Sequence, residues 1–301
     1  MRAPMTGETG EHSDTDGMRG KVVLITGGNT GIGKQTAIAL ARMGARVTIT
    51  SRSPEKGQAA LADIRRAADS EAVECMRLDL ASLTSVRDFA GEFLATHPRL
   101  DVLINNAGLA LGTRSETEDG FESTLGVNHL GHFALTGLLL DRLKHSAPSR
   151  IVVLSSDAHR GAVRGLDLDD LHARRRYSAA TAYCRSKLAN ILFTLELSER
   201  LQGSGVTVNA VHPGMVKTEF AGEDDVRGVI GFLVKLSHLV SLTPEQGARN
   251  SVYAASSPEL AGVSGKYFVR RRPVRPSRPA QDKQTALRLW ELSEQATGVH
   301  M

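Results

Sequence analysis

The sequence predicts an α/β fold, in which helices cover both faces of a doubly wound parallel sheet of about seven strands. Two observations predict this fold. Short runs rich in Val, Ile and Leu alternate with longer segments whose apolar residues have helical spacing. A glycine-rich turn directly follows the first apolar run. Strands that are buried on both faces read as continuous apolar runs, and their alternation with helices produces a parallel sheet.

The strands and helices can be placed along the chain from these patterns. The predicted strands are Lys21–Thr26, Ala45–Thr50, Ala72–Leu78, Asp101–Asn105, Arg150–Ser155, Gly205–Val211 and Gly265–Val269. Helical spacing is found in segments such as Gly31–Met43, Pro54–Ala68, Leu83–Thr96 and Phe121–Lys144. Because no internal repeat or low-complexity linker interrupts the alternation, we predict a single domain over residues 19–297.

The composition limits the classes of partner. The chain has 301 residues, and 37 Lys and Arg against 33 Asp and Glu give a formal charge of +4. This excess is too small to indicate a nucleic-acid partner. The arginine clusters Arg174–Arg176 and Arg270–Arg278 are therefore interpreted as solvated surface. Only two cysteines are present, which favours a reducing compartment and predicts neither a disulfide framework nor a zinc site.

The sequence also bears on location. Residues 1–18 are polar and contain no apolar core of a signal peptide, so they are predicted to be a disordered tail. No run of about 18 uncharged apolar residues occurs, so no integral membrane segment is expected. The longest apolar stretch, Val229–Leu242, is interrupted by Lys235 and His238. We expect a cytoplasmic protein.

The glycine-rich turn has two interpretations. Gly28–Lys34 matches the first seven positions of a P-loop, but Gln35 stands where a P-loop needs Ser or Thr to bind magnesium. Alternatively, Gly27 makes the sharp turn out of the strand of a dinucleotide-binding unit. Gly31 then admits the pyrophosphate and Gly33 allows close packing of helix and strand. The presence of Gln35 at that position therefore favours the dinucleotide-binding interpretation.

Tyr183 and Lys187 form a candidate acid/base pair. They are four residues apart in a helical pattern, so both side chains address one site. Tyrosine has a pKa of ~10. A neighbouring ammonium group stabilises the phenolate, so we expect it to lower that pKa. Such a pair can move a proton while a hydride moves elsewhere.

Further motifs occur together with this pair. In chain order they are Thr26–Gly33, Asn105–Gly108, Ser156, Tyr183-x-x-x-Lys187 and Pro213–Thr218. In combination they resemble the short-chain dehydrogenase/reductase family, which implies a single-domain Rossmann-type fold. The phrases Gly126–Phe133, Ala182–Asn190 and Val211–Gly214 resemble its retinol dehydrogenase-like branch, as do Gly265–Phe268 and Leu289–Glu294. The resemblance spans nearly the whole chain after residue 18.

The resemblance implies a catalytic tetrad. Tyr183 matches the general acid/base, and Lys187 matches the residue that lowers the tyrosine pKa and binds the nicotinamide ribose. Ser156 matches the serine that polarises the substrate carbonyl. Asn128 matches the residue that kinks the fourth long helix and holds a relay water near the lysine. The implied reaction is hydride transfer between NADP(H) and an alcohol, aldehyde or ketone, without a metal.

The end of the second strand favours NADP(H) over NAD(H). Ser51 stands where an NAD-preferring site places an acid, and the guanidinium fork of Arg52 suits a 2′-phosphate. One departure is Thr30, where many NADP-users of the family have a basic residue. The implied cofactor-binding residues are Gly27, Asn29, Thr30, Gly31, Ile32, Gly33, Ser51, Arg52, Asp79, Leu80, Asn106, Ala107, Gly108, Tyr183, Lys187, Pro213, Gly214, Val216 and Thr218.

Three chemically suggestive features are interpreted as structural. His129 and His132 have helical spacing but lack an evident third metal ligand. Ser156–His159 contains hydrolase residue types, yet no Gly-x-Ser-x-Gly elbow occurs. Cys184 lies between Tyr183 and Lys187 but off their helix face, so we expect it to pack. No metal site or hydrolase triad is predicted.

The segment at residues 219–243 is predicted to pass over the substrate crevice. Its apolar stripe runs from Val229 to Val240, which favours a lid over an apolar or lipid-like substrate. Packing on the core or on a partner subunit is the alternative. Relatives often pair their long fourth and fifth helices, which implies a homodimer or homotetramer. A cofactor-binding regulator without turnover and a P-loop NTPase are the competing functions.

Overall fold

The computed structural model describes residues 17–214 and 242–301. Its strands are β1 Val22–Ile25, β2 Arg46–Ser51, β3 Val73–Arg77, β4 Val102–Asn105, β5 Ser149–Leu154, β6 Val206–His212, β7 Tyr267–Val269 and β8 Arg272–Pro273. They form one sheet in the order β3-β2-β1-β4-β5-β6-β7-β8, parallel up to β7. The predicted fold class is therefore confirmed, with eight strands in the sheet where about seven were expected.

The additional strand follows a tight hairpin turn. β7 and β8 pair antiparallel, with Phe268 opposite Pro273 and Val269 opposite Arg272. The two linking residues, Arg270 and Arg271, have positive φ angles of 50° and 62°. Such turns prefer Asn and Gly, so a pair of arginines does not indicate a hairpin in a sequence.

The helices cover both faces of the sheet. They are α1 Gly31–Arg42, α2 Pro54–Ala68, α3 Leu83–Thr96, α4 Ser123–Leu125, α5 Gly131–His145, α6 Ala179–Arg200, α7 Pro244–Ser256 and α8 Lys283–Thr297. The segment predicted as one helix over Phe121–Lys144 is divided, because a π-helical turn at Gly126–Leu130 joins α4 to α5. The core has a layer on each face of the sheet: Phe89, Phe133 and Leu139 lie on one side, and Ile38, Ile49 and Ile64 on the other.

The C-terminal helix extends the core beyond the predicted domain. Trp290 of α8 stacks on Phe193 of α6 with ring centroids 5.9 Å apart, and meets Phe133 of α5 edge-on at 5.0 Å. Val299 is buried in the same layer, and Met18 is buried in the opposite one. The folded part therefore extends at both ends beyond the 19–297 boundaries, and Met18 does not belong to a disordered tail.

Three further expectations from the sequence concern membrane segments, the cysteines and the arginine clusters. None of the helices within 17–214 and 242–301 is long and apolar enough to cross a bilayer. Cys75 and Cys184 are free thiols. Arg175 forms ion pairs with Asp167 and Asp170 at 3.3 Å on the exposed surface, which locally offsets the charge of its arginine cluster.

Candidate active site

The glycine turn after β1 has the shape predicted for it. Gly27 and Gly31 have positive φ angles of 62° and 51°, which glycine adopts without steric cost. A Cβ at Gly33 would lie 2.5 Å from the carbonyl oxygen of Gly27 and from Nδ2 of Asn106. Gly28, which was considered only as the first residue of a P-loop, lies so close to Ile49 that a Cβ would come within 2.6 Å of it. The turn is thus packed too tightly for larger residues.

The first turn of α1 is open to an anion. Thr30 is the N-cap residue, but its side chain makes no capping hydrogen bond, and no acidic residue stands in the first turn. By contrast, the Ser53 side chain caps α2, which carries Glu55 in its first turn. Free amides and the helix dipole at such an N-terminus favour a phosphate. The Lys34 ammonium forms an ion pair with Asp63 of α2 at 2.8 Å, an arrangement that does not favour the P-loop interpretation.

The residues after β4 are hydrogen-bonded to the glycine turn. Oγ1 of Thr26 accepts hydrogen bonds from the backbone N–H groups of Asn106 and Ala107, at 2.8 and 3.0 Å. Nδ2 of Asn106 donates to the carbonyl oxygens of Thr26 at 2.7 Å and Gly27 at 3.3 Å. The predicted cofactor residues Asn106 and Ala107 therefore lie beside the glycine turn, and Thr26, which belongs to the glycine-turn motif but was given no role there, holds them in place.

At the end of β2, Ser51 and Arg52 differ in their freedom to bind a ligand. Ser51 is buried, and its hydroxyl donates to the carbonyl oxygen of Ser53 at 2.9 Å. Arg52 is exposed, and within the described part of the chain no hydrogen bond or ion pair engages its guanidinium. The donors of Arg52 are thus available at this edge of the sheet.

The predicted residues after β3 lie on the same edge. The Asp79 carboxylate accepts a hydrogen bond from the backbone N–H of Ala81 at 2.9 Å, which fixes the turn. Leu80 is buried, and its carbonyl oxygen is so close to Gly131 that a Cβ there would come within 2.5 Å. The β3 turn is therefore packed against the start of α5.

The kink predicted at Asn128 is the π-helical turn. There the backbone N–H of Gly131 donates to the carbonyl oxygen of Gly126, one residue farther back than in an α-helix. Asn128 is fully buried, and its side chain both accepts from N of Leu109 at 2.8 Å and donates to its carbonyl oxygen at 2.9 Å. Nδ2 of Asn128 also donates to Oγ of Ser186 on α6 at 2.9 Å.

Lys187 is buried beside this turn. A Cβ at Gly108 would lie 3.2 Å from Oδ1 of Asn128 and 3.4 Å from Nζ of Lys187, so the two polar groups flank one glycine. Nζ of Lys187 donates to the carbonyl oxygen of Leu154 at 3.3 Å. Burial lowers the pKa of Lys187 to about 8, because the charged form loses its hydration.

Tyr183 and Ser156 complete the predicted tetrad. Ser156 follows β5, and its side chain accepts from the backbone N–H of Ala158 at 3.1 Å and is hydrogen-bonded to the Tyr183 hydroxyl. The adjacent Ser155 has a different role, since its hydroxyl donates to the carbonyl oxygen of Lys187 at 2.7 Å and ties α6 to β5. The structure therefore brings Asn128, Ser156, Tyr183 and Lys187 together.

The pKa of Tyr183 differs in direction from the sequence-based expectation. Burial raises it to about 12, and the hydrogen bond with Ser156 offsets only part of that rise. The Lys187 ammonium lies 5.6 Å from the centroid of the phenol ring. The net shift is therefore upward, opposite to the expected lowering, because the loss of hydration around the phenol is its largest cause.

Comparisons with known proteins bear on the family and the fold of the chain. Residues 21–168 and 170–226 match the short chain dehydrogenase family. The chain belongs to that family. It is 50% identical to human retinol dehydrogenase 13 over 285 residues, which cover 93% of this chain and 85% of that protein. It is 47% identical to human retinol dehydrogenase 12 over 280 residues, which cover 93% and 87% of the two chains. This places it in the retinol dehydrogenase-like branch.

A solved structure shares the architecture. The structure of a putative uncharacterized protein from Mycobacterium Paratuberculosis superposes with a TM-score of 0.75 at 40% sequence identity, covering 94% of this chain and 95% of that one. The two chains therefore share their fold over nearly their full lengths.

In this short-chain dehydrogenase, two histidines and the cysteine that were interpreted as structural contact structural partners. His159 is not part of a hydrolase triad, because Nδ1 contacts the carbonyl oxygen of Ser156 at 2.6 Å and Nε2 accepts from N of Ser277 at 3.0 Å. His129 bonds Ser293 of α8 at 2.9 Å. Cys184 packs against Gly161, where a Cβ would come within 2.8 Å of its sulfur.

The remaining predicted residues follow β6. Pro213 and Gly214 directly follow the strand, and Gly214 has a φ angle of 94° and lies against Leu242. Val216, Thr218 and all but the last two residues of the predicted lid at 219–243 lie outside the described residues. The Nδ1 atom of His212, which motif matching did not assign, accepts from N of Asp157 at 3.3 Å and so links the end of β6 to the residue after Ser156.

Proposed function

We propose that the chain is an NADP(H)-dependent oxidoreductase that interconverts an alcohol and its aldehyde or ketone by hydride transfer. The observation that carries this proposal is the convergence of Asn128, Ser156, Tyr183 and Lys187 next to the open first turn of α1. The family supplies the class of reaction. The protein supplies a proton donor, a buried cation and an anion-binding turn at one edge of the sheet.

The described residues fit such a cofactor. The free amides of α1 would hold the pyrophosphate, and Gly31, which has no side chain, leaves the backbone accessible there. The exposed guanidinium of Arg52 would bind the 2′-phosphate. Lys187, which flanks Gly108, would bind the nicotinamide ribose. When bound, the nicotinamide supplies or accepts the hydride.

The residues of the chain then handle the proton. In reduction, the Tyr183 phenol donates its proton to the substrate oxygen, and the Ser156 hydroxyl stabilises the charge that develops there. With a pKa of about 12, Tyr183 is protonated at neutral pH and is ready to donate. Oxidation requires the phenolate, and the same burial disfavours that protonation state.

A substrate panel tests the proposed function. The purified protein is assayed with aldehydes, ketones and alcohols in the presence of NADPH, NADH or their oxidised forms. We expect turnover with NADP(H) and the release of one product per cofactor consumed. Enhanced NADPH fluorescence without turnover of any compound would instead indicate a cofactor-binding regulator. A cytoplasmic location and a homodimer or homotetramer remain predictions from the sequence.

The change of kcat/KM at alkaline pH should reflect the ionisation of Lys187. Because its pKa is about 8, the ammonium loses its proton as the pH rises through that value, whereas Tyr183 remains protonated. We expect kcat/KM for NADPH to fall above pH 8, since this parameter reflects the ionisation of the free enzyme. Lys187→Arg keeps the charge, so it should remove the alkaline fall even if its overall rate is lower. A wild-type profile that stays flat to pH ~9.5 would contradict the assignment.

The proposed substrate is apolar or lipid-like. This proposal comes from the apolar stripe at Val229–Val240, which lies outside the described residues. Each additional methylene should improve kcat/KM for an aldehyde by a factor corresponding to ~0.8 kcal/mol until the pocket is full. The measurement is kcat/KM along a series of straight-chain aldehydes, with Phe232→Asp and Leu236→Asp beside the wild type. A flat series, or folded variants with an unchanged trend, would show that the stripe does not line the pocket.

A further inference from the structure

His132 lies at the junction of three parts of the site. It is the second residue of α5 and is 3% exposed. Its Nε2 atom is 2.8 Å from Oγ1 of Thr26, which precedes the glycine turn. Its Nδ1 atom is 3.2 Å from the carbonyl oxygen of Asn128 in the π-helical turn. A single buried ring therefore connects the turn that would hold the pyrophosphate to a member of the tetrad.

The hydrogen-bond inventory fixes the tautomer of this ring. Oγ1 of Thr26 already accepts from the backbone N–H groups of Asn106 and Ala107, which use its two lone pairs. Its own proton can go to Nε2 of His132 at 2.8 Å or to the carbonyl oxygen of Ile104 at 3.4 Å, and the shorter contact is the better bond. Nε2 is then the acceptor, so Nδ1 carries the proton and donates it to Asn128.

The neutral form of the ring is consistent with its surroundings. Burial lowers the pKa of His132 to about 3, which outweighs the opposite effect of its hydrogen bond with Asn128, and the charge of Lys187 acts in the same direction as burial. A protonated ring would also present a second N–H to the Thr26 hydroxyl, whose lone pairs are in use. The neutral Nδ1–H tautomer satisfies both neighbours without moving either.

The two hydrogen-bond partners of the His132 ring are themselves bonded to other parts of the site. On one side, Thr26 holds the residues after β4 through the bonds from Asn106 and Ala107. On the other side, Asn128 holds Ser186 of α6, the residue before Lys187. A shift of the ring would therefore displace both the glycine turn and the helix that carries the acid/base pair.

We propose that His132 is a positioning residue, which as a neutral Nδ1–H tautomer holds the glycine turn and the Asn128 turn in one fixed relation. This role rests on the proposed function, because it matters only if cofactor and substrate meet between these two turns. The ring does not contact the reacting atoms. It aligns the groups that do, and misalignment of a catalytic group by ~1 Å can reduce the rate by up to ~10²-fold.

Two near-isosteric substitutions each keep one of the two hydrogen bonds of His132 and remove the other. In His132→Asn, the side-chain amide reaches the position of Nδ1 and can still donate to Asn128, but it cannot reach Thr26. In His132→Gln, the amide oxygen reaches the position of Nε2 and can still accept from Thr26. We expect His132→Gln to keep NADPH binding near wild type and to lose kcat, and His132→Asn to show weaker NADPH binding with a smaller loss of kcat.

His129 provides a matched control. It is three residues earlier and equally buried, but its ring is hydrogen-bonded to Ser293 of α8 and not to the glycine turn. His129→Leu and His132→Leu should lower Tm by comparable amounts. Only His132→Leu should lower kcat/KM, by up to ~10²-fold. If both variants lose activity only in proportion to their loss of folded protein, or if His132→Asn and His132→Gln behave identically, His132 has no positioning role.

Two readouts do not depend on turnover. The dissociation constant of NADPH is measured by fluorescence titration, and the ring tautomer is read from ¹⁵N NMR of the cofactor-free protein, with His132→Asn identifying the signals. We expect a protonated Nδ1 and a ring that is still neutral at pH ~5, two units above its pKa. A protonated Nε2, or titration near the usual histidine pKa, would overturn the proposal even if the enzyme is active. An enzyme without turnover would refute the proposed function alone.

Discussion

Tyr183→Phe is expected to reduce kcat for carbonyl reduction by ~10²–10⁴-fold, the range typical of removing a general acid. The substitution removes the hydroxyl that bonds Ser156 and leaves the ring in place. Because the glycine turn and Arg52 are untouched, NADPH should bind with nearly the wild-type dissociation constant. The measurements are steady-state kinetics with the best substrate of the panel and a fluorescence titration with NADPH.

Tyr253→Phe is the control for this prediction. Its hydroxyl donates to Glu259 at 2.8 Å on the exposed surface of the molecule, so the same atom is removed away from the tetrad. This variant should keep the wild-type kcat. A Tyr183→Phe enzyme with a kcat near that of Tyr253→Phe would refute the proposed proton donor. If Tyr183→Phe instead lost NADPH binding, the phenol would have the role in cofactor binding that the family resemblance implies, in addition to its role as proton donor.

The parallel strands and glycine turn were predictable because their signals are local. Buried strands are continuous apolar runs, and a turn with positive φ at Gly27 and Gly31 requires glycine whatever surrounds it. The hairpin at Arg270 and Arg271 was not predictable, because its stability depends on a distant residue. Oδ1 of Asn250 in α7 accepts from N of Arg271 at 2.7 Å and helps to hold an unfavourable turn.

In the candidate site, too, some features were predictable from the sequence and others were not. Helical spacing predicted that Tyr183 and Lys187 address one site, and the resemblance to the family implied that Ser156 and Asn128 join them. The pKa of Tyr183 could not be predicted from spacing, because it depends on how many distant groups exclude water from the phenol. Likewise, His132 in the sequence is a histidine on a mostly apolar helix. Its role depends on Thr26, which is 106 residues away along the chain.

The π-helical turn shows why a pattern can predict an element but not its irregularity. The apolar residues of Phe121–Lys144 have helical spacing throughout, so one helix was expected. The side chain of Asn128 instead bonds both backbone groups of Leu109, which are far from it in sequence. An unsatisfied buried polar group costs ~1–3 kcal/mol, so these bonds help to maintain the wider turn.

The preference for NADPH should depend on Arg52. The guanidinium is exposed at the end of β2, next to Ser51, where an NAD-preferring enzyme has an acid. Arg52→Asp removes the donors for a 2′-phosphate, adds a charge that repels it, and supplies an acceptor for a ribose 2′-hydroxyl. We expect NADPH to bind ~10- to 100-fold more weakly, since bonds to charged groups contribute most among hydrogen bonds. NADH should bind more tightly, so the preference should reverse.

Arg46→Asp distinguishes this local effect from a general change of charge. Arg46 is also exposed but begins β2, at the opposite edge of the sheet from Arg52. Both variants change the net charge by the same amount, so only a direct contact with the 2′-phosphate predicts that Arg52→Asp alone reverses the preference. The effect of Arg52 should also weaken as salt is added, because exposed charges are screened. Equal binding of NADH and NADPH by the wild type, or equal effects of the two substitutions, would show that Arg52 does not select the cofactor.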